Sequence, residues 1–216
     1  MRVPQLCIIL GVMVVASATC IWANDDDSSL MTYAKYRIES SKFEKGSFET
    51  LPKEVWRSGT CCVRMEEQPD SAMGLHVFAV INEPDVWMVN RMSASGMHVV
   101  DPGPTFDAHC PISSFGDTGF VAELELGHEL DFFKKHGEII DDAGDHSDSA
   151  ALIRYAAPVD NPFLFLTVRA DNIPQSMLYV TEGDSIKIVY DVYQVDLPMD
   201  SMLFTKPEGI EFREAQ

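Results

Sequence analysis

Apolar and polar residues alternate along most of the chain after Tyr33, and this period of two is typical of β-strands. Tyr36 and Ile38, for example, alternate with Arg37 and Glu39. In the first half, the alternation and the turns between runs predict strands over residues 36–40, 48–57, 61–66, 76–81, 86–90 and 97–100. The connections are short enough for each strand to pair with the next, which predicts an antiparallel meander.

A helical pattern replaces the alternation over residues 119–136. Thr118 is the predicted N-cap and Gly137 the predicted C-cap. Acidic residues lie near the start of this segment and basic residues near its end, as the helix dipole favours: Glu123, Glu125, Lys134, Lys135 and His136. Its apolar face is wide, which predicts a helix packed against the sheet: Val121, Leu124, Leu126, Leu130 and Phe133.

The second half returns to strands, with Gly183 in a predicted hairpin turn. These strands are predicted over residues 151–156, 163–170, 176–180 and 185–195. The predicted fold class is therefore mainly β with a few helices (α+β), built on one large antiparallel sheet. One amphipathic helix covers only part of such a sheet, so the pattern predicts surplus apolar surface that must be buried on something else.

The N-terminus has the pattern of a secretory signal peptide over residues 1–23. Arg2 precedes a short apolar run that ends in small residues, and the preferred cleavage point follows Ala23. Lipidation at Cys20 is the alternative, although Ser17 stands where a lipobox has an aliphatic residue. We therefore predict a periplasmic or secreted protein, not an integral membrane protein, with a disordered mature N-terminus over residues 24–32 and one domain over residues 33–216.

The formal net charge of −18 argues against nucleic acid as a partner, because the chain has too few cations to neutralise phosphates. It also argues against an anionic membrane surface as a resting place.

Removal of residues 1–23 leaves Cys61, Cys62 and Cys110. An oxidising compartment permits a disulfide between Cys110 and either of the other two. Adjacent strand residues point to opposite faces, so Cys61 and Cys62 cannot both face Cys110. The alternative is that all three are small buried side chains.

The C-terminal run IKIVYDVYQVDLPMDSMLFTKPEGIEF resembles the last strand and closing signature of the LolA-like superfamily of periplasmic lipoprotein carriers. The signature positions are Asp200, Ser201, Phe204, Pro207 and Gly209. The segments EVWRSGTCCVRMEE and HVFAVINEPDVWMVNRMSASG are similar to earlier strands of that family. The resemblance implies an unclosed, strongly curved antiparallel sheet like half a barrel, covered by helices, with an apolar cavity that accepts acyl chains.

Arg64, in an R-x-E context with Glu66, falls where the resemblance places a strand arginine that holds the lid by hydrogen bonds. The alternative for Arg64 is a surface arginine paired across the sheet. Large apolar side chains are the other predicted ligand-binding residues, because aromatic rings and methionine suit a variable apolar ligand. They are Trp56, Phe78, Trp87, Met88, Leu130, Phe163 and Phe165.

No established metal or catalytic motif accompanies these residues. Several candidate ligands lack any known metal-site spacing: His98, Asp101, Asp107, His109, Cys110, His128, Asp145 and His146. No G-x-S-x-G is present, and Cys110 beside His109 has no recognisable third catalytic group. We therefore predict no metal, no cofactor and no enzymatic activity, with a hydrolase at His109 as a lesser alternative.

The predicted function is that of a binding or carrier protein whose partner is a hydrophobic small molecule or acyl chain. A lipoprotein or another envelope protein is the alternative partner. In that second hypothesis the same fold is an interaction or sensor domain, and its own bulky side chains fill the cavity.

Overall fold

The computed structural model describes residues 30–110, 123–140, 152–157, 163–169, 171–181 and 183–214, and these form one twelve-stranded sheet. The strands are β1 Leu30–Ser40, β2 Lys53–Ser58, β3 Cys62–Glu67, β4 Val77–Asn82, β5 Asp85–Asn90, β6 Ser95–Val100, β7 Glu138–Ile140, β8 Leu152–Ala157, β9 Phe163–Arg169, β10 Pro174–Thr181, β11 Asp184–Pro198 and β12 Glu211–Glu214. The α-helix α1 covers Glu129–His136, and 3-10 helices cover Phe48–Thr50, Arg91–Ser93 and Ser201–Phe204.

The strand order across the sheet is β12-β6-β5-β4-β3-β2-β1-β11-β10-β9-β8-β7. Neighbouring strands are antiparallel except β12 and β6, which run parallel. Because β12 and β7 lie at opposite ends of this order, the sheet is not closed into a barrel. The mainly β class and the meander of β1 to β6 are thus confirmed.

Two predicted boundaries at the start of the sheet differ from the structure. β1 begins at Leu30, so residues 30–32, which were predicted to be disordered, lie in a strand. Main-chain pairing on both sides orders them, since Leu30 is opposite Pro198 and Thr32 is opposite Arg57. Phe48–Thr50 is a 3-10 turn instead of the start of β2. The predicted signal peptide lies outside the described residues.

The helix begins later than the sequence pattern predicts. Residues 123–128 are not α-helical, and α1 begins at Glu129. Gly127 has a φ of +89°, a left-handed conformation that interrupts a right-handed helix. The acidic residues of the first turn are therefore Glu129 and Asp131. Residues 119–122 and the predicted cap Thr118 lie outside the described residues.

The sheet has two faces, which strand register distinguishes because directly opposite residues point to the same side. On the helix face, Ala34 of β1 is opposite Val55 of β2, and both are buried. This face carries the main apolar core, which includes Leu124, Leu126 and Phe133 from the elements that cover it. α1 contacts β8 and β9, so the helix covers this face mainly in the second half of the sheet.

The opposite face, here called the tail face, is covered near β3 to β6 by the C-terminal segment, residues 200–214. A second apolar cluster lies here, formed by Phe78, Val80, Trp87 and Val89 with Ile210 and Phe212 packed against it. The short β12 fixes the end of this segment, since Phe212 is opposite Gly96 of β6. A Cβ at Gly96 would lie 2.9 Å from the Phe212 ring, so glycine permits this close approach.

Candidate functional site

The structure divides the predicted ligand-binding residues between the two faces. Trp56, Arg64 and Trp87 lie in one cross-strand row on the tail face, because Trp56 is opposite Arg64, Arg64 opposite Val80, and Val80 opposite Trp87. Phe78 lies on the same face, opposite Val89 of the tail-face cluster.

Met88 and Leu130 lie on the helix face. Met88 is opposite Ala79 and Met97, and the half-buried Leu130 of α1 packs against the main core. These two predicted residues are therefore separated by the sheet from Arg64 and Phe78.

Phe163 and Phe165 also lie on the tail face, but on β9 in the other half of the sheet. Their rings are stacked with centroids 6.3 Å apart, and 56% of Phe163 is exposed. The Arg154 guanidinium carbon lies 4.7 Å from the Phe165 ring centroid. These rings form a surface patch that is separate from the residues around Arg64.

A cavity of about 400 Å³ lies between the tail face and the C-terminal segment. We call it the C-terminal cavity. Its lining residues are Arg64, Phe78, Arg91, Ala94, Met202, Thr205, Lys206, Pro207, Glu208, Gly209 and Ile210. The cavity therefore combines apolar side chains with three cations and the Glu208 carboxylate, and it brings together two of the predicted residues, Arg64 and Phe78.

Local sequence explains how the C-terminal segment forms this cover. The Asp200 side chain accepts a hydrogen bond from the Met202 amide at 3.0 Å and so caps the 3-10 helix. Phe204, at the end of that helix, is fully buried. Gly209 has a φ of +71°, which lets the chain turn before the Glu211 amide bonds to the Ala94 carbonyl at 2.9 Å.

Arg64 joins the sheet to this cover. Its guanidinium donates to a Glu66 carboxylate oxygen at 2.7 Å and to the Leu203 carbonyl at 3.4 Å. The guanidinium carbon also lies 4.7 Å from the Phe78 ring centroid. Arg64 thus pairs with Glu66 along its own strand and not across the sheet, and the main chain that it bonds belongs to the C-terminal segment and not to a helical lid.

The negative charge of the Glu66 carboxylate is balanced by Arg64 and His76 on the same face of the sheet. Burial acts to raise its pKa, but hydrogen bonds from Arg64 and His76 together lower the pKa below the ordinary value. The His76 ring nitrogen is 2.9 Å from the other carboxylate oxygen. The negative charge of Glu66 is therefore already paired on the sheet side of the cavity.

Arg91 and Lys206 add positive charge at the cavity, and the charge of Arg91 also helps to lower the pKa of Glu66. The Arg91 guanidinium carbon lies 4.9 Å from the Phe78 ring centroid, and the Lys206 ammonium lies 5.3 Å from that of Phe212. Both residues are exposed, and neither makes an ion pair within the described part of the chain. With Arg64, they give the lining three cations against the single carboxylate of Glu208.

Sequence reasoning missed Arg57, a buried arginine that faces the helix side. It donates to the Leu126 carbonyl at 3.4 Å and the Ala108 carbonyl at 3.3 Å, and it pairs with Glu125. The resemblance assigned Arg64 the role of a strand arginine that bonds to covering carbonyls; on the helix face, Arg57 makes such contacts. The sequence did contain a signal for its position. Arg57 is two residues from Val55, so in a strand both side chains lie on the same buried face.

Glu125 is held as a carboxylate between Arg57 and His109. Its pKa is lowered to about 2, because the hydrogen bond to His109 and the charge of Arg57 outweigh the desolvation that acts to raise it. The His109 ring nitrogen lies 2.8 Å from Glu125, and this hydrogen bond raises the pKa of His109. His109 is therefore one partner in an ionic cluster.

Glu129 was also not predicted. Its side chain is completely buried and accepts hydrogen bonds from the Tyr190 hydroxyl at 2.6 Å and the Tyr193 hydroxyl at 2.7 Å. Burial, followed by the charge of Glu129, raises the pKa of both tyrosines. These bonds anchor the start of α1 to β11.

The chemistry of the candidate hydrolytic residues is unfavourable for nucleophilic attack. Cys110 is buried, and desolvation raises its thiol pKa to about 12. The Cys110 sulfur lies 3.3 Å from the Met65 sulfur. Cys110 is a free thiol in the structure and is not bonded to Cys61 or Cys62.

Within the described residues, no group of three or more histidine, cysteine or acidic side chains is arranged to hold a metal ion. Both ring nitrogens of His98 face carboxylates, at 2.7 Å from Asp85 and 2.9 Å from Glu214. Asp145 and His146 lie outside the described residues. Across the same described ranges, no helix is long and apolar enough to span a bilayer.

No protein-family model matches the chain, and no curated protein is significantly similar in sequence. Solved structures show a distant likeness. An uncharacterized conserved protein from Thermus thermophilus is 13% identical with a TM-score of 0.49, over 87% of this chain and 91% of that one.

MucB, in a crystal structure with MucA(peri), is 10% identical with a TM-score of 0.42, over 86% of this chain and 57% of that one. PNGF-II is 8% identical with a TM-score of 0.37, over 87% of this chain and 31% of that one. Likenesses this distant assign neither a family nor a partner to the present chain.

Proposed function

We propose that this protein is a non-catalytic, extracytoplasmic binding protein with a LolA-like half-barrel fold. In this proposal it holds an amphiphile, an acyl or similar apolar chain with an anionic group, in the C-terminal cavity. The observation that carries the proposal is the cavity itself, where apolar side chains and an excess of cations line the same space. The signal-like N-terminus supports the compartment.

The apolar part of the ligand would contact Phe78, Met202 and Ile210. The cavity volume of about 400 Å³ falls within the range of small-molecule sites. Met202 is 72% exposed and therefore has apolar surface to cover. Each buried methylene contributes roughly 0.8 kcal/mol, so a short stretch of acyl chain supplies useful affinity.

The anionic group would be placed by Arg91 and Lys206. In a chain of net charge −18, a cavity lined by three cations and one carboxylate is a local reversal of sign. Arg64 is engaged by Glu66 and Leu203, so we assign it the role of holding the cover in position. The ligand class that fits both parts is a fatty acid or another singly charged lipid.

The test begins with native mass spectrometry of the protein isolated from the extracytoplasmic fraction without detergent, followed by lipid extraction. A fluorescent fatty acid is then titrated into the delipidated protein. Met202→Trp, which fills the cavity, should weaken binding by about tenfold, or 1.4 kcal/mol. Met73→Trp is the matched control, because Met73 is also an exposed methionine but does not line the cavity.

Equal affinity of the two variants would place the ligand elsewhere. Absence of any co-purified lipid, together with no binding of the probe, would contradict the proposal.

The second candidate is a protein-interaction domain of the same fold. It is favoured by the helix face, where Leu124, Leu126 and Phe133 are at most 2% exposed and fill the space over the sheet. The exposed Phe163 beside Phe165 then offers a contact surface. A photo-crosslinking residue at position 163 should capture one specific envelope protein, while the same group at the exposed Val195 should not.

A further inference from the structure

Cys61 and Cys62 bring two free thiols together at the turn between β2 and β3. Their sulfur atoms are 2.8 Å apart, which is not far above the bond length of about 2.05 Å in a disulfide. Cys61 is partly exposed at the turn, whereas Cys62 is buried at the start of β3. Cys61 is therefore the more exposed residue of the pair, and the Cys62 sulfur lies against its sulfur.

The backbone at this turn explains why the two side chains meet. Gly59 has a φ of +54°, and Cys61 precedes the first residue of β3. The alternation that sends neighbouring strand residues to opposite faces does not apply to a residue in the turn. The sequence permits a bridge from Cys110 to one of these cysteines, but in the structure the sulfurs of Cys61 and Cys62 contact each other.

We propose that Cys61 and Cys62 form a thiol–disulfide exchange site that takes a small-molecule or protein disulfide as its oxidant. The Cys61 sulfur attacks the oxidant, forms a mixed disulfide and releases the first thiol. The Cys62 sulfur then attacks the Cys61 sulfur, closes a vicinal disulfide and releases the second thiol, which takes the Cys62 proton. The pair loses two electrons and two protons, and one oxidant disulfide becomes two thiols.

The order of the two steps follows from exposure. Burial, together with the contact to Cys61, raises the pKa of Cys62 to about 12, so Cys62 is a poor first nucleophile. Its position against the Cys61 sulfur suits it instead to resolve the mixed disulfide.

The bridge should be easily reduced. Consecutive Cα atoms are about 3.8 Å apart across a trans peptide, whereas disulfides usually join Cα atoms about 4.4–6.8 Å apart. A vicinal disulfide is therefore strained, and strained disulfides have more oxidising potentials than structural ones. The proposed site is thus reversible in the presence of a mild thiol reductant.

Closure of this bridge would act on the cover of the helix face. The Ala108 amide donates to the Thr60 carbonyl, and the Glu83 amide donates to the Cys61 carbonyl at 3.0 Å. Arg57 binds the Ala108 carbonyl from the neighbouring strand. A change of the turn at Thr60 and Cys61 should therefore weaken the attachment of Ala108.

The test uses the folded protein incubated with oxidised glutathione, followed by alkylation of free thiols and tryptic digestion. Arg57 and Arg64 bound a peptide over residues 58–64 that contains both cysteines and separates them from Cys110. This peptide should be unalkylated and lighter by two hydrogen atoms, and dithiothreitol should restore both thiols. Hydrogen exchange at the Ala108 amide should be faster in the oxidised protein.

Cys61→Ser and Cys62→Ser should each abolish the internal bridge, whereas Cys110→Ser should retain it. Three results would overturn the proposal: alkylation of both thiols after oxidation, a cross-link to the peptide that contains Cys110, or glutathione that stays on Cys61 beside a free Cys62 thiol.

Discussion

Two arginine side chains, Arg57 and Arg64, hold separate segments against the sheet through hydrogen bonds to main-chain carbonyls. Arg57 and Arg64 belong to adjacent strands and face opposite sides of the sheet. Each donates to a carbonyl of the element that covers its own face, Leu126 in one case and Leu203 in the other. The two arginines thus attach separate covering segments to one sheet. Removal of either arginine should loosen the segment on its own face more than the segment on the opposite face.

The ionic cluster of Arg57, Glu125 and His109 gives stability a defined pH dependence. The pKa of Glu125 is lowered to about 2 from 4.5, so its contribution is complete above pH 4.5 and is lost as pH falls through about 2. The pKa of His109 is raised from 6.5, so its contribution is present below pH 6.5 and is lost as pH rises through the folded-state pKa.

We expect the free energy of unfolding to fall by about 3 kcal/mol from the Glu125 contribution over the acid range. Urea unfolding at a series of pH values measures this loss. Glu125→Gln should flatten the acid side of the profile, while the exposed Glu208→Gln should leave it steep. An unchanged acid slope in Glu125→Gln would show that the cluster does not contribute.

At the scale of elements, β12 determines whether the C-terminal segment stays on the tail face. Its docking depends on Gly96, where a Cβ would lie 2.6 Å from the Met88 carbonyl oxygen and 2.9 Å from the Phe212 ring. The carbonyl belongs to the backbone of β5, so it has little freedom to move away.

Gly96→Ala should therefore displace β12 and cost about 1–3 kcal/mol through overpacking. Hydrogen exchange of the amides of Glu211–Glu214 should accelerate, and affinity for the fatty-acid probe should fall with it. Ser95→Ala, at the exposed neighbouring position, is the matched control and should change neither. Unchanged protection of β12 in Gly96→Ala would show that Phe212 has room to shift.

The elements that the sequence predicted well are those whose signal is local. Alternation located β3 to β6 and most of the later strands, because a half-buried strand needs a period of two. The start of α1 was wrong because the left-handed Gly127 interrupts an otherwise helical pattern. The parallel pairing of β12 with β6 joins residues 95–98 to residues 211–214, and no local pattern specifies such a distant partner.

Within the candidate site, sequence predicted the residue types better than their placement. Large aromatic residues were identified, but Phe78 and Phe163 belong to different halves of the sheet, and only the full strand order separates them. Arg91 and Lys206 were missed because each looks like an ordinary surface cation until the C-terminal segment places both at one cavity.

For the whole molecule, the uneven distribution of charge should control which ligands bind. A chain of net charge −18 repels anions at long range, so an anionic ligand must gain its affinity from the local cations at the C-terminal cavity.

The double variant Arg91→Gln and Lys206→Gln should weaken binding of a fatty-acid probe by about tenfold, or 1.4 kcal/mol. Binding of the matching fatty alcohol should not change. Arg213→Gln is the control, because Arg213 is exposed on β12 but does not line the cavity. Isothermal titration at several salt concentrations measures both affinities, and equal losses for the acid and the alcohol would contradict an electrostatic role.

The pairing of β1 with β11 has a consequence for how the chain acquires its structure. The first strand can complete its hydrogen bonds only after Asp184–Pro198 has been synthesised, so the centre of the sheet joins segments from opposite ends of the sequence. Contacts of such high sequence separation carry a large loop-closure cost and fold slowly. Until β11 is available, the edge of β1 that does not pair with β2 has no strand partner and is open to pairing with other chains.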